Sequence, residues 1–173
     1  MAFLELFSTA KKYQINEEIM EWKKEGYLVS TDKGKLDVGM IHHFLYTTAY
    51  WAVGRPMSIV RKSIDNSLCF GLYDNGQQVG FARVVTDLAT FGWVCDVFIL
   101  PSHRGQGLGK WLIECIVNHP EVKNLRRLVL SSRDSREFYN KFGGFQALHY
   151  PDNWMEKFTD APFRKPVPSE PAE

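Results

Sequence analysis

The sequence predicts a mixed α/β fold built around one sheet. Three observations carry that reading. Extended apolar runs and helical apolar stripes interleave along 173 residues, a length suited to a single domain with a full core. Two of the runs, SLCFGLY and QQVGFARVVT, are joined by Asp-Asn-Gly, where Asn75-Gly76 supplies the positive φ of a tight hairpin. A third run, FGWVCDVFIL at residues 91–100, passes through Pro101 into the glycine-rich stretch HRGQGLGK and then into a helical stripe.

Along the chain, residues 9–25 place Ile15, Ile19 and Trp22 on one helical stripe, with Ser8 or Thr9 as cap and Gly26 as stop. Residues 1–26 are therefore read as an added N-terminal helical extension. YLVS (27–30) reads as a short strand and TDKGK as a turn. After Asp37 as cap, Val38, Ile41 and Leu45 recur at helical spacing; after Gly-Arg-Pro, Met57, Val60 and Ile64 do the same, with Pro56 at the first helical position. Beyond the hairpin and the 91–100 strand, Trp111, Leu112, Cys115 and Ile116 form a helix face that ends at Asn118-His119-Pro120. LRRLVLSS (125–132) reads as a buried strand, SREFYNKF as a short helix closed by Gly143-Gly144, and FQALHY (145–150) as a last strand. The domain proper spans residues 27–150, and the Pro-rich 151–173 read as a partly disordered tail.

Composition excludes several classes. Lys+Arg 21 against Asp+Glu 20 leaves a formal charge of +1, which gives no general affinity for nucleic acid or anionic membrane. No apolar run approaches the roughly 20 residues of a membrane span. The opening MAFLELFSTAKKYQ lacks a basic segment followed by a long apolar one, so a cytoplasmic location is expected. Cys69, Cys95 and Cys115 form an odd set without CxxC spacing, which suggests neither a disulfide framework nor a zinc site. The adjacent His42 and His43 cannot share one helix face, and no metal is expected.

A strand that runs into a glycine-rich turn and then a helix can aim backbone N–H groups at an anion. Two familiar phosphate loops fail on spacing: Lys110 is followed by Trp111 with no glycine five before Gly109, and Gly105, Gly107 and Gly109 give GxGxG rather than GxGxxG. The pattern that fits is Arg-x-x-Gly-x-Gly, Arg104 to Gly109, after a strand ending VFILP. Here the sequence resembles the GNAT superfamily of N-acetyltransferases, whose coenzyme A pyrophosphate loop has this spacing. EFYNKFGGF is similar to the family's Phe-Tyr-x-x-x-Gly-Phe signature, and the resemblance covers roughly residues 27–150.

The resemblance implies the GNAT fold: one mixed, mostly antiparallel sheet with splayed central strands and flanking helices. It implies acetyl-CoA as co-substrate, direct transfer to an amine and no metal. Arg104, Gly105, Gln106, Gly107, Leu108, Gly109 and Lys110 would hold the cofactor's phosphates, and the backbone of Val97, Phe98 and Ile99 its pantetheine arm. Tyr139 matches the family's tyrosine general acid, and its ordinary pKa of about 10 keeps it a proton donor at neutral pH; packing beside Phe138 and Phe142 is the alternative. Asp96 stands where many relatives carry an acidic pair, of which this sequence replaces the Glu by Cys95. Asp96 holds or relays the ammonium proton in one reading and marks a strand bulge in the other; strand alternation sets it opposite Cys95. Cys95 and Cys115 are the candidates for a rival acyl-enzyme route.

Two further departures concern the last third. Ser132, Arg133 and Asp134 replace the asparagine often found ahead of the tyrosine helix, and FGGF has one glycine more than the usual Gly-Phe, which shifts the register of the following strand. For the acceptor, Tyr50, Trp51 and Arg55 form an aromatic wall with one anion-binding group, or else the rings pack inside and Arg55 is solvated. The expected acceptor is a small-molecule primary amine. A peptide or protein N-acetyltransferase and a non-catalytic acetyl-CoA sensor are the alternatives, and a homodimer is left open.

Overall fold

The computed structural model describes residues 18–159. Among them six strands form one sheet in chain order, β1 (Glu21–Lys24), β2 (Tyr27–Ser30), β3 (Leu68–Asp74), β4 (Gln77–Thr86), β5 (Phe91–Ile99) and β6 (Arg127–Val129). Neighbouring strands are antiparallel except β5 and β6, which are parallel. On one face lie α1 (Val38–Thr47) and α2 (Met57–Asp65), with Phe44, Leu45, Val60 and Ile64 packed on Phe81 and Phe98. The other face carries α3 (Leu108–Val117), whose Leu112, Ile113 and Ile116 cover Phe70, Leu72, Val84 and Val94. This is the curled α/β sheet the sequence predicts.

Several local expectations hold for their stated reasons. Asn75 and Gly76 take φ of 46° and 85°, which closes the β3–β4 hairpin. Asp37 Oδ1 accepts from the Met40 N–H at 2.9 Å and caps α1. Pro56 falls one residue earlier than expected, at the cap of α2.

The N-terminal helix expected over residues 9–25 is not found at residues 21–24. Those four are β1, paired with β2 through a two-residue turn in which Glu25 and Gly26 have φ of 49° and 88°. A glycine that ends a helix and one that completes such a turn look alike in sequence; the choice falls to Trp22, whose ring stacks on Phe70 of β3 at 6.2 Å. The rest of the expected extension, 1–17, lies outside the described residues, as does 160–173 of the tail.

At the far edge, β6 is three residues long instead of the expected eight, and it is half-buried. Residues 145–150 form no strand. Gly144, at φ 71°, ends α5 (Arg136–Gly143) with its N–H on the Asn140 carbonyl, and the Phe145 N–H returns to Tyr139. Gly143 is the second half of this device: a Cβ there would lie 2.7 Å from the Phe145 ring and 3.0 Å from Ile113. One glycine allows α5 to approach α3, and the other turns the chain back. A short helix, α4 (Pro120–Lys123), follows α3 without having been expected.

The splay between the central strands has a local cause. Phe81 pairs with Phe98 but Arg83 with Cys95, so β5 holds one residue more than β4 across this interval, and Asp96 takes a φ of 52°. This is a β-bulge, which bends and twists its strand. Consistent with that bend, β5 and β6 pair only from Phe91 to Trp93, and the edge of β5 from Val94 to Ile99 faces no strand among the described residues.

Candidate active site

The glycine turn divides its labour. Gly105 and Gly107 have φ of 77° and 76°, and a Cβ on either would meet nothing within 4 Å, so conformation rather than crowding calls for glycine. Gly109 is helical, and a Cβ there would make an ordinary 3.5 Å contact with Phe138. No side chain caps α3. Among the described residues the N–H groups of residues 105–110 have no hydrogen-bond acceptor, the first satisfied one being Trp111 on the Gly107 carbonyl. A run of free amides beside open space at a ten-residue helix start suits an anionic diphosphate.

The loop is tied down around these amides. Arg104 Nε donates to the Ile99 carbonyl at 3.0 Å, and Tyr27 Oη donates to Gln106 Oε1 at 2.9 Å. His103 Nε2 stands 3.3 Å from Asp74 Oδ2. Of the other expected cofactor residues, Leu108 is buried and offers only its backbone, while Lys110 Nζ lies 3.7 Å from Glu114 on the helix surface. Val97 and Ile99 face the α3 core and Phe98 stacks on Phe44 at 3.9 Å, so these three residues contribute their backbone.

Asp96 departs most from expectation. Oδ1 accepts from Trp51 Nε1 at 3.0 Å; Oδ2 accepts from Arg55 Nη1 at 2.8 Å and Arg83 Nε at 2.6 Å. Its side chain is only 2% exposed. With three donors on two oxygens it is a buried hub rather than an open carboxylate facing an amine. The bulge turns Asp96 toward Arg83, the pairing partner of Cys95, so the opposite faces expected from alternation are not found. Arg83 was not among the sequence candidates: inside an apolar strand it reads as an outward-facing residue, and only the pairing of β4 with β5 reveals its partner.

Tyr50, Trp51 and Arg55 do come together with Asp96 at the α1–α2 connection. Tyr50 and Trp51, 39% and 38% exposed, stand edge to face at 5.0 Å. The rings are open and Arg55 is held inside by Asp96, so the alternative of buried rings with a solvated Arg55 is not found. The Arg133 guanidinium lies 3.8 Å from the centre of the Tyr50 ring and connects this wall to the loop before α5.

Tyr139 projects from α5, half-buried, with edge-to-face contacts to Phe138 at 5.3 Å and Phe145 at 6.2 Å. Burial pushes its phenol up to about 12, with smaller contributions from Tyr50 and Asp134, so it remains a proton donor across the neutral range. The same cause, burial, raises the Cys95 thiol to about 11 and Cys115 to about 12. Thiols held neutral in this way are poor nucleophiles, which weakens the acyl-enzyme route.

A cleft of about 1020 Å³ opens between β6 and residues 145–148. Tyr139 lines it, but Asp96, Trp51 and Arg55 do not. Among the described residues no group of three His, Cys, Asp or Glu is placed to hold a metal, and no helix is long and apolar enough to cross a membrane.

Comparison with known proteins bears on these features together. The family model for the GNAT acetyltransferase domain matches residues 65–145. An acetyltransferase relative from Gibberella zeae is 33% identical over 140 residues, covering 69% of this chain and 79% of its own. A crystal structure from Xanthomonas campestris pv. campestris, described as belonging to the GNAT family, is 40% identical with a TM-score of 0.77 and covers 80% of this chain and 97% of its own. A Clostridium acetobutylicum acetyltransferase solved with acetyl-CoA shares the fold, with a TM-score of 0.56 at 16% identity over 76% of this chain and 94% of its own. Loop, sheet and relatives agree: this chain belongs to the GNAT family of acetyltransferases.

Proposed function

We propose that this chain moves an acetyl group from acetyl-CoA directly to a primary amine of a small molecule. The observation that carries the reading is the run of unsatisfied N–H groups at residues 105–110, at the end of a strand whose outer edge is open from Val94 to Ile99. Acetyl-CoA brings the acetyl group as a thioester, already open to attack and with a thiolate to release. The loop amides and Arg104 hold the diphosphate, and the free edge of β5 orients the pantetheine arm by backbone hydrogen bonds.

A β5 backbone N–H polarises the thioester carbonyl. The amine attacks in its neutral form, the C–N bond forms as the C–S bond breaks, Tyr139 supplies a proton to the leaving sulfur, and the proton the nitrogen sheds passes to solvent water, from which the Tyr139 phenol is restored. Asp96, with both oxygens engaged, does not take the amine's proton. Its part is to anchor Trp51 and Arg55 beside the reacting strand.

The test pairs two readouts. Coenzyme A release, followed as free thiol, is measured with acetyl-CoA and a panel of amines, amino acids and basic peptides, and a thermal shift is measured with acetyl-CoA alone. Stabilisation together with release by small amines is expected. Stabilisation without release from any amine would leave only a binding module, and release by peptides alone would move the acceptor class.

A further inference from the structure

Two guanidinium groups converge on one carboxylate in the interior of this domain. Arg55 and Arg83 both donate to Asp96 Oδ2, and the second partner of Arg83 is the neutral Ser67 hydroxyl at 3.1 Å. The adjacent Cys95 thiol is neutral because burial raises it, and Trp51 adds no charge. Two positive groups and one negative group leave a single uncompensated positive charge. The side chains that bear it are only 14% and 11% exposed.

An unpaired charge with so little access to water is costly unless something negative meets it. Arg55 uses one of its N–H groups and Arg83 uses two, and the rest have no acceptor among the described residues. Nor are they sealed in: among the described residues the buried side-chain atoms without a partner are His42 Nε2, Tyr73 Oη and His119 Nε2. Arg55 Nε and Nη2 and Arg83 Nη2, the guanidinium nitrogens without a partner, therefore keep some access to solvent. The cluster includes the partly exposed Trp51, and its carboxylate belongs to Asp96, one residue before Val97 on the strand assigned to the thioester.

We infer that Arg55 and Arg83 form an oxyanion subsite of the acceptor pocket, and that the acceptor is a primary amine bearing a carboxylate, as an amino acid does. The inference rests on the acetyl-transfer reading for its amine, but not for its anion. A carboxylate matches the cluster in charge, one against one, and in shape, because a planar fork of N–H donors pairs with two coplanar oxygens. Tyr50 and Trp51 would cover the acceptor's apolar part.

The test separates the anion subsite from the transfer reaction. On the full chain labelled with 15N, the Trp51 indole and the Arg55 and Arg83 Nε–H signals are followed while acetate and phenylacetate, acetamide and phenylacetamide, and inorganic phosphate are titrated. Saturable shifts with the carboxylates, absent with the amides, are expected. Arg55→Met removes them and still folds, because it leaves a neutral Asp96–Arg83 pair. Arg55→Lys, which keeps the charge but loses the fork, binds about 10-fold more weakly.

Equal shifts with amides, shifts with phosphate alone, or none at all would overturn the subsite. In parallel, coenzyme A release is compared between amino acids and their carboxamides, with a preference of about 100-fold for the carboxylate expected. Equal release from both overturns the inference and leaves the transferase reading standing. Carboxylate shifts without release from any amine do the reverse.

Discussion

Tyr139 and Asp96 look alike in sequence as candidate proton carriers, and their surroundings give them different work. The Tyr139 hydroxyl has no hydrogen-bond partner among the described residues, and burial pushes it up to about 12, which keeps it protonated and available to donate across the neutral range. Tyr139→Phe should lower kcat by about 100-fold or more while leaving the acetyl-CoA thermal shift intact. Equal loss of both would make the residue a packing element. In the wild-type protein the loss of activity from ionising this group should appear only above about pH 11, following its raised pKa.

Asp96 sits at a positive φ of 52°, which asparagine tolerates as well, so Asp96→Asn removes charge without new backbone strain. It leaves two largely buried guanidinium groups without a counter-ion and should cost about 3 kcal/mol in urea unfolding. If stability is unchanged, the hub does not hold the α1–α2 connection as argued. If stability falls and the pH profile still follows the acceptor's own ammonium pKa, Asp96 is a positioning residue and not the base.

Elements show why three glycines in one turn are not equivalent. Gly105 and Gly107 stand in the left-handed region, where an L side chain costs about 1–2 kcal/mol. Gly107→Ala should therefore lower both Tm and the acetyl-CoA thermal shift. Gly109→Ala faces only a 3.5 Å contact and enters a helix that favours alanine, so Tm should stay or rise. At the other end of the site, Gly143→Ala forces apart the Phe145 ring and Ile113 and should destabilise by about 1–3 kcal/mol. Turnover should fall with it, since α5 carries Tyr139. Reversal of either order would show that the glycines serve another purpose.

For the whole molecule, the sheet joins two apolar layers and leaves the reactive edge between them. The α3 layer includes one polar group at its rim, His119, buried against Trp22 at 6.0 Å and Phe70 at 5.6 Å. Its Nδ1 accepts the Glu121 N–H, and burial lowers its pKa below the ordinary 6.5. Above pH 6.5 the ring is neutral in folded and unfolded chains alike, so its contribution is constant there. As pH falls through 6.5 the unfolded chain binds the proton first, and stability declines until the folded ring also titrates. The urea midpoint should drop from pH 8 to pH 5, and His119→Gln should flatten that slope.

Local physics wrote much of this architecture legibly. The Asn-Gly hairpin, the Asp37 cap, the helix stripes and the strand–glycine–helix order each depend on neighbours in sequence, and a chain with them has few other ways to bury its apolar residues. Arg104, the glycines and Tyr139 stood out through motifs that resemble those of the GNAT family, which are also patterns of sequence neighbours. What only the tertiary structure decided depends on partners far along the chain. Glu25-Gly26 became a turn because Trp22 meets Phe70; Arg83 and Asp96 became a hub because a bulge in β5 turned a carboxylate toward two arginines from distant segments. A charge's role follows from what faces it once the chain is folded, and no spacing in the sequence records that.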